Sequence, residues 1–156
     1  MKIFLTILAV LMLPGAQALA ATQNEVTVSP AGSQPTTLGA RAYFTGTAKV
    51  DSRFKGSDPA RISGGIVSFD AGARTAWHTH PLGQTLIVSS GTGWVQQWEG
   101  PAQQMNLGDV VWIPPGVKHW HGASAKEPMV HIAVSESLDG STVTWMEKVT
   151  DDQYPQ

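Results

Sequence analysis

The chain has 156 residues, a formal net charge of −2 at pH 7 and no cysteine. This length suits one ordinary domain, and the slightly acidic balance leaves no basic surface for binding a nucleic-acid backbone. Without cysteine the protein has no disulfide, no thiolate ligand for a metal ion and no cysteine nucleophile.

The first twenty residues carry the pattern of a secretory signal. Lys2 precedes an apolar run from Ile3 to Leu13, and small residues in an Ala-x-Ala arrangement close the segment at Ala20. Because the run is too short to span a bilayer, the pattern favours a cleaved signal over a retained membrane helix. We therefore predict a signal peptide over 1–20, export to the periplasm or the exterior, and no membrane association after cleavage.

The rest of the chain divides into an arm and one domain. Residues 21–39 are rich in Ser, Thr, Gln, Pro and Ala, which predicts a flexible N-terminal arm. From 40 to 156, short β-branched and aromatic runs recur about every ten residues between Gly, Pro, Asp and Asn. The runs are Ile66–Phe69, Thr85–Val88, Gly93–Val95, Val110–Ile113, His131–Val134 and Thr142–Trp145. This spacing, without a helical period, predicts an all-β domain built as a small antiparallel β-barrel or sandwich.

Polar side chains able to bind a metal ion follow one another at even spacing in the first half of this domain. Between Gly72 and Gly91 the sequence has His78, His80 and Gln84. Side chains alternate along a strand, so these three share one face. Imidazole nitrogens and an amide oxygen that converge can hold a divalent metal ion.

A second stretch adds another histidine at the start of a predicted strand. Gly108 is followed by five residues, then Pro114-Pro115-Gly116, two residues and His119. All five histidines of the chain lie between positions 78 and 131. Core or surface histidines satisfied by hydrogen bonds are the alternative explanation, but the agreement of spacing, parity and turns favours a metal site.

Together the two stretches resemble the paired motif of the cupins, small β-barrels of the jelly-roll type that hold one divalent metal ion. The motif reads Gly-x5-His-x-His-x3-(Glu/Gln)-x6-Gly, then Gly-x5-Pro-x-Gly-x2-His-x3-Asn. The resemblance implies one metal ion per subunit, held by His78, His80, Gln84 and His119. Gln84 stands in place of the usual glutamate, so the ion keeps more positive charge and is a stronger Lewis acid. Ala123 replaces the final asparagine, which is not a metal ligand in the family.

The segments 73–88, 118–123 and 138–147 are similar to the bacterial cupin hydroxynitrile lyases. This resemblance implies manganese-dependent cleavage or formation of cyanohydrins such as (R)-mandelonitrile. By ligand type alone, Fe²⁺, Co²⁺, Ni²⁺ and Zn²⁺ also suit three nitrogens and one oxygen. The lyase resemblance therefore implies Mn²⁺, whereas the donor atoms alone are compatible with any of these ions.

The same resemblance implies further roles around the metal. It makes His131 the proton acceptor, and it assigns substrate contacts to polar His121 and Thr75 and to apolar Val67 and Phe69. His131 begins an apolar strand, where a histidine that is only hydrogen-bonded in the core is the alternative. Thr75 has the opposite strand parity to the metal ligands, so its role needs a local irregularity of the strand.

The function favoured by the sequence is a metal-dependent hydroxynitrile lyase that acts on a small molecule with a histidine base. One alternative is a cupin dioxygenase, in which Fe²⁺ binds O₂ and the substrate at two open positions. Another is a periplasmic module that binds or senses a small molecule through its metal ion. Gln84 favours the lyase over the dioxygenase. Family resemblance also implies a homo-oligomer, either a dimer or a tetramer.

Overall fold

A computed structural model describes residues 25–155, so the predicted signal peptide over 1–20 lies outside the described residues. Within 25–155 no helix has the length and apolar character needed to cross a membrane. Of the predicted arm, residues 25–36 form no strand, and the two residues of β1 pair with β3.

The described residues form twelve strands, and every strand pair is antiparallel. Their bounds are β1 (Thr37–Leu38), β2 (Phe44–Thr45), β3 (Ala48–Lys55), β4 (Ile62–Phe69), β5 (Arg74–Thr75), β6 (His78–Thr79), β7 (Gln84–Gln97), β8 (Ala102–Asn106), β9 (Val110–Ile113), β10 (His119–Ala123), β11 (Met129–Glu136) and β12 (Thr144–Trp145). The prediction of an all-β antiparallel fold is thereby confirmed.

The strands curl into two walls that share the long strand β7. One wall has the order β1-β3-β4-β11-β7-β9, and the other contains β8, β7, β10, β5 and β2, with β6 attached to β10 and β12 attached to β6. Residues 84–91 of β7 pair with β11, and residues 92–96 pair with β8. The strand bends at Gly91, whose φ is 71° and where a side chain would overlap the carbonyl of Pro128. The predicted runs Thr85–Val88 and Gly93–Val95 are therefore one strand.

A main apolar core lies between the walls. Leu86 and Val88 of β7 are fully buried there, together with Phe69 of β4 and Met129 of β11. Because strand side chains alternate, the same inward-facing rows continue from this core toward the metal ligands. The apolar core therefore lies directly beside the candidate site and supports the strands that carry it.

A second apolar cluster fastens the C-terminal segment against β6 and β10. It contains Trp77, Trp120, Val149 and Tyr154. The Tyr154 hydroxyl donates to the carbonyl of Ala123 at 2.8 Å, and β12 pairs with β6 so that Trp145 lies opposite His78. The C-terminal segment thus packs against β6, the strand that contains the predicted metal ligand His78.

Candidate metal centre

Three of the predicted ligands meet in the interior of the barrel. His78 of β6 lies directly opposite His119 of β10, and His80 follows β6. Their ligand nitrogens all lie within 4.8 Å of one another, and all three residues are buried. Gln84, the first residue of β7, places its Oε1 3.1 Å from Nε2 of His119. The structure therefore brings all four predicted donors to one place.

Backbone carbonyls fix the orientation of each histidine ring. Each Nδ1 donates to a main-chain oxygen: His78 to Ala76 at 2.9 Å, His80 to Thr142 at 2.6 Å and His119 to Val117 at 2.9 Å. A carbonyl only accepts hydrogen bonds, so Nδ1 carries the proton and Nε2 keeps a free lone pair. Hydrogen bonds of this type accompany most histidine ligands in metalloproteins.

Burial keeps these rings neutral. It lowers the pKa of His78 well below its usual value, with the neighbouring charge of His119 as the next cause. Burial also lowers the pKa of His80, and it lowers the pKa of His119 to about 4. The three nitrogens are therefore unprotonated near pH 7, as metal binding requires.

The unpaired lone pairs in this cluster fit a cation. Nε2 of His80 is buried and has no hydrogen-bond partner among the described residues. Nε2 of His119 faces Oε1 of Gln84 at 3.1 Å, and both atoms are acceptors with no proton between them. A divalent ion shared by these atoms would satisfy all of the lone pairs at once. The residues present therefore fit one metal ion.

A second histidine pair lies beside the metal ligands. Nε2 of His131 is 3.1 Å from Nδ1 of His121, and Nε2 of His121 has no partner among the described residues. The backbone N–H of His121 donates to Oγ1 of Thr75 at 3.1 Å. Burial lowers the pKa of His121 well below its usual value, with the charge of His131 next in importance, and lowers the pKa of His131 to about 4.

A cavity of about 560 Å³ opens onto this site, and His78, His80, Gln84 and His121 line it. Its apolar wall is formed by Phe44, Val50, Val67, Ala133, Val143 and Trp145. The cavity is large enough for a small aromatic molecule and offers such a molecule both an apolar surface and metal ligands.

The other predicted substrate contacts lie at different depths. Val67 and Thr75 both line the cavity. Thr75 can do so despite its strand parity because the strand is interrupted between β5 and β6, which is the local irregularity that its role needs. Phe69 has the parity of Val67 but lies in the core, with its ring 5.4 Å from that of His131. His131 is fully buried behind His121 and does not line the cavity.

Sequence reasoning missed two contributions of the C-terminal segment. The carbonyl of Thr142 orients His80, and the ring of Trp145 lies 4.8 Å from the ring of His78 and lines the cavity. The carbonyl has no side-chain signature, so no pattern in the sequence could reveal it. Trp145 lies in a predicted strand, but only the pairing of β12 with β6 shows which strand it faces.

A curled antiparallel barrel with two short motifs that supply three histidines and one amide to its interior defines a single-domain cupin. The chain belongs to this family. The cupin domain family matches residues 65–135. The (R)-mandelonitrile lyase of Granulicella tundricola is 54% identical over 123 residues, which are 79% of this chain and 94% of that protein.

Solved structures agree with this assignment. A cupin-like protein from Thermotoga maritima is 37% identical, with a TM-score of 0.71 over 83% of this chain and 95% of its own. A cupin 2 conserved barrel domain protein from Rhodopseudomonas palustris has a TM-score of 0.59 at 16% identity, covering 76% of this chain and 79% of its own. The second likeness concerns the fold alone.

We expect the purified chain to bind one divalent ion, and we expect His80→Ala to lower the affinity at least 100-fold, because one of three nitrogen donors is lost. Elemental analysis after dialysis and the metal-dependent rise in melting temperature measure this. His131→Gln is the matched control, since it removes a buried histidine outside the donor set and should keep the ion. Full metal retention by His80→Ala would contradict the site.

The metal-free protein should lose stability as the pH falls from about 6.5 to 4. Burial lowers the pKa of His119 and His131 to about 4, whereas the unfolded chain binds these protons near pH 6.5. In this window the unfolded state holds more protons, so the free energy of unfolding falls by about 1.4 kcal/mol per pH unit for each histidine. Urea unfolding in chelator between pH 7 and 4.5 measures this, and a constant stability would refute it.

Proposed function

We propose that this chain is a metal-dependent hydroxynitrile lyase that cleaves or forms cyanohydrins such as (R)-mandelonitrile. The observation that carries the proposal is the 54% identity to an (R)-mandelonitrile lyase over 94% of that enzyme's length. The histidine cluster beside an apolar cavity supports it, because the reaction needs an electrophilic centre and an aromatic binding surface.

Cleavage of a cyanohydrin requires one bond to break and one proton to move. The bond between the carbinol carbon and the nitrile carbon breaks, and its electron pair leaves with cyanide. The hydroxyl proton passes to a base, which then protonates the cyanide, so that the products are an aldehyde and HCN. A divalent ion held by His78, His80, Gln84 and His119 would supply the Lewis acidity that makes the hydroxyl more acidic.

The paired histidines can move this proton. Nδ1 of His121 is engaged with His131, so Nε2 of His121 is the nitrogen left for the cavity. When Nε2 accepts a proton, the Nδ1 proton can pass to Nε2 of His131 across 3.1 Å. The proton acceptor implied by the lyase resemblance, His131, thus acts through His121. This relay keeps the charge away from the metal ligands.

The neutral donors and the apolar wall of the cavity suit two further requirements of the reaction, a Lewis-acidic ion and a binding surface for an aromatic ring. Three nitrogens and one amide oxygen would hold the ion through neutral donors only, so the ion would keep its charge as a Lewis acid. Val67, Val143 and Trp145 offer an apolar surface for an aromatic ring and keep water away from it. Mn²⁺ is the proposed ion, supported by resemblance to the manganese-dependent lyases rather than by the donor atoms alone.

We also propose export of the chain, with 1–20 as the cleaved signal. The support is the basic start, the short apolar run and the small residues before position 21. Without Lys2, nine of the ten Lys and Arg residues remain against twelve Asp and Glu. This balance supports a small molecule as the partner, not a nucleic acid or a membrane surface.

The lyase proposal is tested by cyanide release. Protein loaded separately with Mn²⁺ and Fe²⁺ is given (R)-mandelonitrile, and cyanide and benzaldehyde are measured beside oxygen uptake with a phenolic substrate. We expect equal amounts of cyanide and benzaldehyde, with Mn²⁺ the more effective ion. No cyanide with any metal would overturn the proposal, and oxygen uptake without cyanide would replace it with a dioxygenase. His121→Gln and His131→Gln should keep the ion but lower kcat by about 100-fold or more.

The outer face of the wall that contains β4 supports a homo-oligomer. Ile66, Ile132, Ile87 and Val110 form one row across β4, β11, β7 and β9. Val110 is 67% exposed, and Trp112 beside it is 59% exposed. A continuous apolar sheet face of this kind is typical of a protein–protein interface, and we propose that a second copy of the chain covers it.

Light scattering tests this interface. We expect the wild type to be a dimer or a tetramer and Trp112→Glu to be a smaller species, because the substitution places a charge in the apolar row. Leu138→Glu is the matched control, since this exposed leucine lies in a loop away from the sheet face. A monomeric wild type, or dissociation by both substitutions alike, would contradict the proposed interface.

A further inference from the structure

The charged side chains that line the cavity are all positive. Arg53 and Lys55 of β3 contribute to the lining, and no carboxylate does so among the described residues. The four candidate metal ligands are neutral, so a bound divalent ion would add to the positive charge and nothing in the lining would offset it. This electrostatic pattern favours an anionic ligand.

A β-bulge places both basic side chains at the rim of the cavity, where both residues remain exposed. Val50 lies opposite Val67, but Ser52 and Arg53 together oppose Gly65, after which Lys55 lies opposite Ser63. Ser52 has a φ of 44°, a conformation uncommon for a residue with a side chain. The extra residue reverses the alternation of β3, so that Arg53 and Lys55 share the inner face with Val50. Without the bulge they would lie on the opposite face of β3.

The stem of Arg53 packs beside Gly65. A Cβ atom at Gly65 would lie 3.5 Å from Cγ of Arg53 and 3.1 Å from the carbonyl oxygen of Asp51. The arm holds Arg53 from the other side, through a hydrogen bond from Gln34 to its carbonyl at 2.7 Å and one from its guanidinium to Thr37. Arg53 therefore belongs to the bulge, packs beside Gly65 and is hydrogen-bonded to the arm.

A row of polar side chains connects the basic pair to the metal centre. Strand registers place Lys55 opposite Ser63, Ser63 opposite Ser135, and Ser135 opposite Gln84, and all four line the cavity. Neighbouring strands lie about 4.8 Å apart, so the two ends of the row are about 14 Å apart between Cα atoms along the sheet. The side chains of Lys55 and Gln84 extend into this gap from its two ends. The distance left between their polar groups suits the length of a small aromatic molecule.

Neither basic group forms an ion pair with a carboxylate among residues 25–155. The ion pairs among the described residues join Arg61 to Glu136, Arg74 to Asp151 and Lys118 to Glu147. Asp51, the nearest acidic residue along β3, faces outward and accepts a hydrogen bond from Thr36. The two cations in the cavity are thus available to a ligand.

We propose that the cavity takes an anionic substrate, namely an aromatic aldehyde or its cyanohydrin that carries a carboxylate at the far end of the ring. The reacting group lies at the metal centre, the ring lies on the apolar wall, and Arg53 and Lys55 bind the carboxylate. This inference rests on the proposed lyase function and adds the substrate class. The basic pair determines specificity and takes no part in breaking the bond.

The test compares two cyanohydrins, mandelonitrile and the cyanohydrin of 4-formylbenzoate. We expect wild-type kcat/KM to be about tenfold higher for the carboxylate, a factor in keeping with two partly exposed ion pairs. In the double variant Arg53→Gln and Lys55→Gln the ratio of the two kcat/KM values should fall to about one. Arg61→Gln, which removes an arginine paired outside the cavity, should keep the wild-type ratio. A wild-type ratio of one, or a ratio kept by the double variant, overturns the inference.

Binding of 4-formylbenzoate and benzaldehyde to Mn²⁺-loaded protein, measured by calorimetry, separates this inference from the lyase proposal. If no cyanohydrin is cleaved, the lyase proposal fails, yet about tenfold weaker binding of 4-formylbenzoate to the double variant than to the wild type still supports the anionic ligand. Equal binding of 4-formylbenzoate by both proteins overturns it, because the carboxylate would then lie on the metal instead.

Discussion

Three hydrogen bonds from histidine Nδ1 atoms to backbone carbonyls are the interactions on which the site depends. They place the proton on the outer nitrogen of each ring and leave the inner nitrogen as a donor to a metal ion. For His78 and His119 the carbonyl lies two residues earlier in the chain, so the contact is local. For His80 the carbonyl belongs to Thr142, and the ring is therefore oriented by the C-terminal segment.

Burial connects the chemistry of the site to the stability of the fold. Buried imidazoles stay neutral because the charged form is poorly solvated, and this neutrality is what metal binding and proton transfer both require. The same burial leaves nitrogens of His80, His121 and His131 without hydrogen-bond partners among the described residues. An ion bound to the cluster would satisfy the first of these, so metal binding and folding should stabilise one another.

The inner face of one wall changes in character along its length. Core residues such as Leu86 occupy one end, apolar residues such as Val67 line the middle, and the row from Gln84 to Lys55 is polar. The bulge in β3 adds Arg53 and Lys55 to this inner face at a cost in backbone strain at Ser52. Strain kept beside a cavity is reasonable where it re-aims side chains toward a ligand.

Local patterns in the sequence were enough to predict the class of fold and the four donors that could share a site. Turn residues and alternation predict strands, and even spacing predicts that His78, His80 and Gln84 converge. In the structure a turn separates β6, which contains His78, from β7, which begins at Gln84, and the three side chains still meet. These patterns could not show how deep in the barrel a side chain lies. Val67 and Phe69 have the same strand parity, yet only Val67 lines the cavity.

Pairing between distant strands determined that His131 lies behind His121, that Thr142 orients a ligand and that two basic side chains lie at the rim of the cavity. The physical reason is that alternation is a local property of one strand. Depth and register, by contrast, depend on pairing between strands far apart in the chain, and a single extra residue in a bulge reverses the faces beyond it.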